Sequence, residues 1–272
     1  MLHTFFILIL LTLIIDSLGW IRFLWFISIG YGASIAGISI ALGVMYFATL
    51  TPATALLIAL GFIYGVRLSG YLLYRELKSG NYRKAISYDA QQSADYPLIA
   101  RISIWLSCVL LYICQTTPMI VRLVNESTTS AVDFKSDGAL WTGIIVAALG
   151  LLLETLADRQ KSKVKKVAPH NYVSTGLYRI VRCPNYFGEI LFWTGILISG
   201  LTTFGAWWQW TLAIIGYVAI VYIMFSGARR LELRQDHNYG EDETYMTYKA
   251  NTPILLPFVP IYSVKRFTWL RG

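Results

Sequence analysis

Long apolar stretches separated by short polar loops constrain this chain more than any other feature. Residues 23–48 contain no charged side chain, and comparable blocks recur along the 272 residues. An apolar helix of about 20 residues crosses a bilayer, and lipid offers no partners to open backbone groups, so such blocks predict transmembrane helices. Hydrophobic residues make up 56% of the chain and charged residues 14%, which agrees with this class. The sequence therefore predicts an all-α, polytopic membrane protein.

About seven transmembrane helices are predicted, in one bundle that forms a single integral membrane domain over residues 1–272. The second block carries glycines that would allow close helix approach, namely Gly30, Gly32, Gly37 and Gly43. The predicted spans are residues 4–20, 23–48, 51–74, 97–122, 139–157, 187–202 and 207–225.

The net charge of +8 comes from basic residues that lie between the apolar blocks. In this setting they indicate topology and contacts with lipid or cofactor, and we predict no nucleic-acid partner. The basic residues concentrate after the third and fifth spans and in the tail, including Arg83 and Lys84 after the third. The positive-inside rule then predicts a cytosolic C-terminus and an external N-terminus. The host membrane would be a bacterial inner membrane or the endoplasmic reticulum.

Residues 170–189 form a polar and aromatic stretch between two apolar blocks and are the first candidate for a functional site. Within it, Thr175-Gly176 predicts a turn of the chain. Arg179 and Arg182 are three residues apart, so on a helix they would share a face and could bind one phosphate together. Alternatively, both arginines anchor the topology at the cytosolic interface.

Three polar side chains fall inside or beside apolar blocks, where they need a purpose. Glu189 precedes an apolar run and is predicted to face an internal cavity or a partner. Tyr64 and Arg67 are three residues apart in the third span and would lie on one helix face. Arg67 could instead extend to the interface, whereas Tyr64 could donate a hydrogen bond to a substrate carbonyl.

Charged groups from several segments are predicted to meet at the cytosolic side. Asp158 adjoins a lysine cluster, Asn185 and Glu189 follow the two arginines, and Arg229 ends the seventh span. Cations, carboxylates and aromatic rings at a membrane surface suit a phosphorylated, ring-bearing cofactor and an apolar substrate that arrives from lipid.

Other kinds of site are not supported by the sequence. The three histidines and three cysteines are scattered singly, so neither a catalytic triad nor a metal site is predicted. There is no GxGxxG or P-loop motif, so a nucleotide would be held by another kind of scaffold.

Two motifs together resemble the C-terminal domain of the steroid 5-alpha-reductase superfamily, in its bacterial-type, DUF1295-like branch of membrane reductases. They are the run from Gly176 to Arg179 and the run from Arg182 to Glu189; Leu231-Glu232, Tyr245, Tyr248 and Pro257 continue the resemblance. The family implies a seven-helix membrane fold that binds NADPH from the cytosol and delivers hydride to the β carbon of an enone. Residues 1–122 would then form the substrate-cavity half and residues 138–272 the cofactor-binding half.

The resemblance also implies roles for individual residues. Tyr64 would hold the substrate carbonyl, with Arg67 and Trp193 as further substrate contacts, and Tyr64 and Glu189 would be catalytic. The implied cofactor-binding residues are Asp158, Lys165, Asn171, Tyr178, Arg179, Arg182, Asn185, Tyr186, Glu189, Arg229 and Tyr248.

Two positions depart from the family pattern. The usual histidine before Pro184 is Cys183, and the second span lacks the Gln-Glu pair that would supply Tyr64 with an acidic partner. Two alternatives therefore stay open. The motifs are also similar to those of membrane methyltransferases of the isoprenylcysteine and phospholipid type, which bind S-adenosylmethionine. The third possibility is a non-catalytic membrane scaffold.

Overall fold

The structure, a computed structural model, describes residues 1–78, 96–128 and 137–270. Arg83 and Lys84 of the predicted basic loop lie outside the described residues. Within the described ranges the chain is helical and contains no strand. The helices are α1 (Leu2–Asp16), α2 (Ile29–Met45), α3 (Pro52–Lys78), α4 (Leu98–Thr128), α5 (Gly138–Val167), α6 (Pro184–Gly200), α7 (Trp207–Tyr239) and α8 (Glu243–Asn251).

Six helical segments of the described chain are long and apolar enough to cross a membrane. They contain α1, α2, α3, α4, α5 and α7. The sixth predicted span, residues 187–202, corresponds to α6, which is shorter, with 17 residues. The prediction of an all-α, multi-pass integral membrane protein is thus confirmed.

Several helices end well beyond the apolar blocks that predicted them. Helix α5 continues through the lysine cluster to Val167, and α7 continues to Tyr239. Hydropathy marks the segment inside lipid, whereas a helix continues into water as long as its residues favour helix. Conversely, α2 begins only at Ile29 because residues 23–28 turn. The indole of Trp25 there donates a hydrogen bond to Glu76 at the end of α3, at 3.0 Å.

The chain divides into two compact units. Unit 1 comprises residues 1–144 and 196–217, and unit 2 comprises residues 145–195 and 218–272. In unit 1, α2 and α3 approach closely at two glycines, because a methyl group on Gly65 would lie 2.3 Å from the Gly32 carbonyl oxygen. This confirms the predicted close approach at Gly32, where small residues let helices pack backbone to backbone.

Candidate active site

The candidate site in unit 2 is organised by a close crossing of α5 and α6. A methyl group on Gly150 would lie 2.3 Å from the Phe192 nitrogen, and one on Gly188 would lie 2.6 Å from the Glu154 nitrogen. The two helices therefore run antiparallel, with residue 150 opposite residue 192 and residue 154 opposite residue 188. A side chain at either glycine would collide with the backbone of the other helix, so the two helices would have to move apart.

Three buried carboxylates flank this crossing. Glu154, Asp158 and Glu189 expose only 3%, 8% and 7% of their surface. Asp158 lies one turn after Glu154 on α5, and the half-buried Asn185 lies one turn before Glu189 on α6. The structure thus places Asp158, Asn185 and Glu189, which the sequence predicted as site residues, on the two helices that cross at Gly150 and Gly188.

Cations from α5 and α7 surround the start of α6. Lys161 lies within electrostatic range of Cys183, and Arg230 and Arg234 lie within electrostatic range of Tyr186. Lys165 is close enough to Arg234 for the two charges to repel. Like charges kept this close favour the binding of an anion between them.

Lys165 and Asn171 also meet directly. The Lys165 ammonium donates hydrogen bonds to the carbonyl oxygens of Asn171, at 2.6 Å, and of Pro169, at 3.0 Å. The Asn171 side chain is exposed. Lys165 therefore fixes the chain that leaves α5 as well as contributing charge.

Among the described cations of unit 2, Arg182 is the most deeply buried, with 3% of its surface exposed. Its Nη2 donates to Glu232 of α7, at 3.2 Å, and to the carbonyl oxygen of Tyr262. Its Nε and Nη1 are buried without a hydrogen-bond partner among the described residues. Since buried polar groups normally have partners, these two donors indicate a position for an acceptor that the described residues do not supply.

The C-terminal tail holds Arg182 in place. The Arg182 backbone N–H donates to the Pro253 carbonyl and that of Cys183 to the Ile254 carbonyl, both at 2.9 Å. Glu232, the partner of Arg182, also accepts from the Val264 N–H at 2.9 Å and forms an ion pair with Lys249 at 3.4 Å.

Tyrosines line the same part of unit 2. The Tyr248 hydroxyl donates to the Tyr178 carbonyl at 2.6 Å, and the Tyr248 ring stacks on Tyr172 at 5.6 Å. Burial raises the pKa of Tyr248, so its hydroxyl stays protonated and can act as a donor. Burial also raises the pKa of the Cys183 thiol to about 12, so the thiol form is favoured at neutral pH. Tyr178 itself is buried.

The premise that Arg179 and Arg182 share a helical face is wrong. Gly176–Arg179 forms a single 3-10 turn, and Arg182 lies beyond it, before α6 begins. The predicted turn at Gly176 is present, with φ of +62°, a conformation that glycine adopts without strain. Arg179 is exposed whereas Arg182 is buried, so the two side chains are in different environments.

Two further predicted residues, Arg229 and Trp193, contact other partners. The Arg229 guanidinium donates to the tail carbonyls of Lys265, at 3.2 Å, and Leu270, at 3.3 Å. Trp193 is buried on α6 with its ring edge-on to Phe192, at 5.2 Å, beyond Glu189.

In unit 1, Tyr64 is fully buried on α3. Its hydroxyl donates to the Tyr31 hydroxyl of α2 at 3.0 Å, and Tyr31 stacks on Tyr112 of α4 at 5.0 Å. The second span thus supplies Tyr64 with a phenol in place of an acid. Arg67 is half-buried one turn further along α3.

Several residues of these clusters were not among the sequence predictions. Glu154 precedes Asp158 by four residues, and Arg234 follows Arg230 by four, so helical spacing could have identified both. No local signal indicates that Tyr31 pairs with Tyr64, or that Glu232 pairs with Arg182 fifty positions away.

Comparison with known proteins gives distant relatives over half of the chain. The rat protein named 3-oxo-5-alpha-steroid 4-dehydrogenase 1 is 23% identical over 140 residues, 51% of this chain and 49% of the rat protein. The Bos taurus protein of the same name is 24% identical, again over 51% of this chain and 49% of its own length. From Gossypium hirsutum, Steroid 5-alpha-reductase DET2 is 24% identical over 47% of this chain and 46% of its own length.

The chain thus spans about half the length of the curated relatives it matches. No solved structure matches it. The family described as a protein of unknown function, DUF1295, matches residues 9–252, which is most of the chain and includes both units. The chain therefore belongs to the DUF1295 family, a steroid 5-alpha-reductase-like family, as the sequence motifs predicted.

Proposed function

We propose that the protein is an NADPH-dependent membrane reductase that reduces a conjugated C=C bond in a lipophilic substrate. The observation that carries the proposal is the buried guanidinium of Arg182, which has two donors without partners. The names of the relatives, which describe steroid reductases and dehydrogenases, support the same reaction class. The substrate would be sterol-like, polyprenoid or an enoyl lipid.

The charges of unit 2 fit a nucleotide with more than one phosphate. Arg182 offers directed donors, and Lys161, Lys165, Arg230 and Arg234 add a group of cations around the start of α6. Guanidinium groups bind phosphate oxygens in a fixed geometry, and lysines add charge. This excess of positive charge favours NADPH, which carries one phosphate more than NADH.

Amide and carboxylate groups would orient the rest of the cofactor. Asn185 and Glu189 are assigned to the nicotinamide end and Asp158 to the adenosine end. When bound, the nicotinamide supplies a hydride for the β carbon of the conjugated carbonyl. Because Glu189 is buried, it exerts its charge with little screening by water.

Tyr64 is assigned to the carbonyl oxygen of the substrate. The Tyr31 contact fixes the position of its hydroxyl, and a fixed hydrogen-bond donor polarises a carbonyl without reorganisation. Arg67 and Trp193 are assigned to substrate contacts. The nucleotide would bind from the cytosol, the side to which the positive-inside rule assigns the lysine cluster and the C-terminus.

Thermal unfolding of the purified protein in lipid nanodiscs tests the cofactor. A ligand at about 100 times its Kd stabilises a protein by about 2.7 kcal/mol, which is a measurable rise in Tm. We expect NADPH to raise Tm, NADH to raise it less and S-adenosylmethionine to leave it unchanged. A rise with S-adenosylmethionine alone would favour the methyltransferase, and no response to any of the three would favour the scaffold.

The variant Glu189→Ala tests the residue assignment. It should fold and lose the rise in Tm with NADPH. Glu243→Ala is the matched control, because Glu243 is an exposed glutamate of unit 2 on α8, and it should keep the response. A Glu189→Ala protein that binds NADPH normally contradicts the assignment.

A further inference from the structure

Asp16, at the end of α1, is a second buried polar group whose environment calls for a ligand. It is completely buried, with 0% of its surface exposed, in a segment apolar enough to span a membrane. Neither of its carboxyl oxygens has a hydrogen-bond partner within the described ranges. An acid in such a position is costly and usually functional.

The Asp16 carboxyl lies against α2 at a glycine. A methyl group on Gly30 would come within 2.4 Å of Asp16 Oδ1 and within 2.6 Å of the Trp25 carbonyl oxygen. Any side chain at position 30 would therefore displace the carboxyl. Because Gly30 directly precedes Tyr31 on α2, this contact lies one residue from Tyr31 along the chain.

The same group of side chains receives a contribution from α4. Tyr112 and Cys108 lie within electrostatic range of Asp16, and the Tyr112 ring stacks on Tyr31 at 5.0 Å. Tyr31 in turn accepts the hydrogen bond of Tyr64. Polar side chains from α1, α2, α3 and α4 thus meet inside unit 1, and we call Asp16, Tyr31, Tyr64 and Tyr112 the acid–tyrosine cluster.

The surroundings of Asp16 determine whether its carboxyl group is ionised or neutral. No lysine or arginine of the described residues donates to either of its oxygens, and the Tyr112 phenol and the Cys108 thiol lie within electrostatic range. A carboxylate buried without a cation or donor loses its hydration without compensation, so the neutral acid is the stable form. A neutral acid has one O–H donor and one carbonyl acceptor to offer.

We infer that the acid–tyrosine cluster binds the oxygen-bearing end, a ketone or hydroxyl group, of a lipophilic molecule, with neutral Asp16 as one of the groups that contact it. The inference deepens the proposed function, on which it rests for the identity of that molecule as the reductase substrate. Asp16 then takes the place of the acidic partner that Tyr64 lacks in the second span. Tyr31 is a positioning residue, because it acts through Tyr64.

Infrared difference spectroscopy on the full chain in nanodiscs tests the state of Asp16. The wild-type protein should show the carbonyl stretch of a protonated carboxyl group, and Asp16→Asn should lose that band. Glu76→Gln is the matched control in the same unit, because Glu76 is also buried, with 5% of its surface exposed, but pairs with Arg22 and Trp25. The control should leave the band unchanged. Absence of the band from wild type, or its persistence in Asp16→Asn, would overturn the inference.

Three probes then test the ligand: a 3-oxo-Δ4-steroid, a polyprenyl ketone and a long-chain enone, each compared with a hydrocarbon of similar size. At least one oxygen-bearing probe should shift the Asp16 band, and the hydrocarbons should not. A band that none of the three shifts also overturns the inference. If an oxygen-bearing probe shifts the band while NADPH fails to stabilise the protein, the binding site stands and the reductase proposal falls.

Unfolding of Asp16 variants separates binding from a structural role. Asp16→Leu removes a buried polar group without partners, so its Tm should rise while the probes lose their binding. Glu76→Leu breaks an ion pair and should lower Tm. A fall in Tm for Asp16→Leu as large as that for Glu76→Leu would assign Asp16 to the fold and overturn the inference.

Discussion

Among the described residues, one arginine is deeply buried in each unit, and the two differ in how completely their donors are used. Arg122 of unit 1 is 0% exposed and Arg182 of unit 2 is 3% exposed. Arg122 uses all three nitrogens: Nε donates to the Ser199 carbonyl, Nη1 to Glu126, and Nη2 to Asp137, at 2.6 Å, and to Thr202. Arg182 uses one nitrogen, and the other two are buried without partners in the described part of the chain.

This difference separates a structural arginine from a candidate ligand-binding one. A buried charge whose hydrogen bonds are all made is compensated by the fold itself. A buried charge with donors to spare is compensated fully only when something else binds. Composition and burial would have ranked the two arginines equally. Their hydrogen-bond partners are the reason that we propose a structural role for Arg122 and a ligand-binding role for Arg182.

The largest expected effect is that of Arg122→Gln on stability. The variant leaves Glu126 and Asp137 buried without their cation, and breaking a buried pair in this way costs about 3–5 kcal/mol. Denaturant unfolding in mixed micelles should show this loss in the free energy of unfolding. NADPH affinity of the folded fraction should stay within about twofold. A decrease of less than about 1 kcal/mol in the free energy of unfolding would contradict a structural role for Arg122.

Arg182→Gln should lower the free energy of unfolding less than Arg122→Gln does, and it should weaken NADPH binding more. Glu232 keeps its ion pair with Lys249 and its hydrogen bond from Val264, so the stability cost should be lower, at about 1–3 kcal/mol. Charge-assisted hydrogen bonds are worth about 1.5–3 kcal/mol, which predicts a loss of NADPH affinity of about 10- to 150-fold.

The control for Arg182 is Arg266→Gln, which changes an exposed arginine of the same unit. It should leave the Kd for NADPH, measured by fluorescence titration, nearly unchanged. Equal losses in the two variants would mean that Arg182 acts only through net charge.

Acid should weaken the Arg122 network through Asp137. Burial alone would raise the pKa of Asp137, but hydrogen bonds from Thr202 and Arg122 outweigh it and lower the pKa. The stability that Asp137 contributes is therefore present above its unfolded pKa of about 3.9, and it is lost as pH falls through the lower folded pKa. Asp137→Asn should cost about 1–3 kcal/mol at neutral pH and flatten this acid dependence. An unchanged acid profile in unfolding experiments would contradict the network.

The sequence was sufficient to predict the class of protein and most of its helices. In lipid, a long apolar block can make all of its backbone hydrogen bonds only as a helix. Helix ends were less predictable. Helix α5 continues to Val167 and α7 to Tyr239, since charged residues that leave the membrane still favour helix.

The sequence also identified many candidate residues but not their partners. Gly150 and Gly188 let α5, which carries Asp158, touch α6, which carries Asn185 and Glu189, and the sequence alone does not show what a glycine contacts. The pair of Tyr64 with Tyr31 and that of Arg182 with Glu232 depend on packing between distant segments. Helical spacing was misleading for Arg179 and Arg182, because the Gly176 turn is followed by a segment without helix.

The smallest expected effect is that of Tyr248→Phe, which removes one hydroxyl beside Arg182. That hydroxyl donates to the Tyr178 carbonyl at 2.6 Å, so its loss leaves a buried acceptor and should cost about 1 kcal/mol in the free energy of unfolding. Tyr262→Phe, at an exposed ring, is the control and should cost less than about 0.5 kcal/mol. Because the Tyr248 ring remains stacked on Tyr172, NADPH affinity should fall only if the hydroxyl itself contacts the nucleotide. If Tyr248→Phe weakens NADPH binding by well over tenfold without changing the free energy of unfolding, the Tyr248 hydroxyl binds the ligand rather than stabilising the fold.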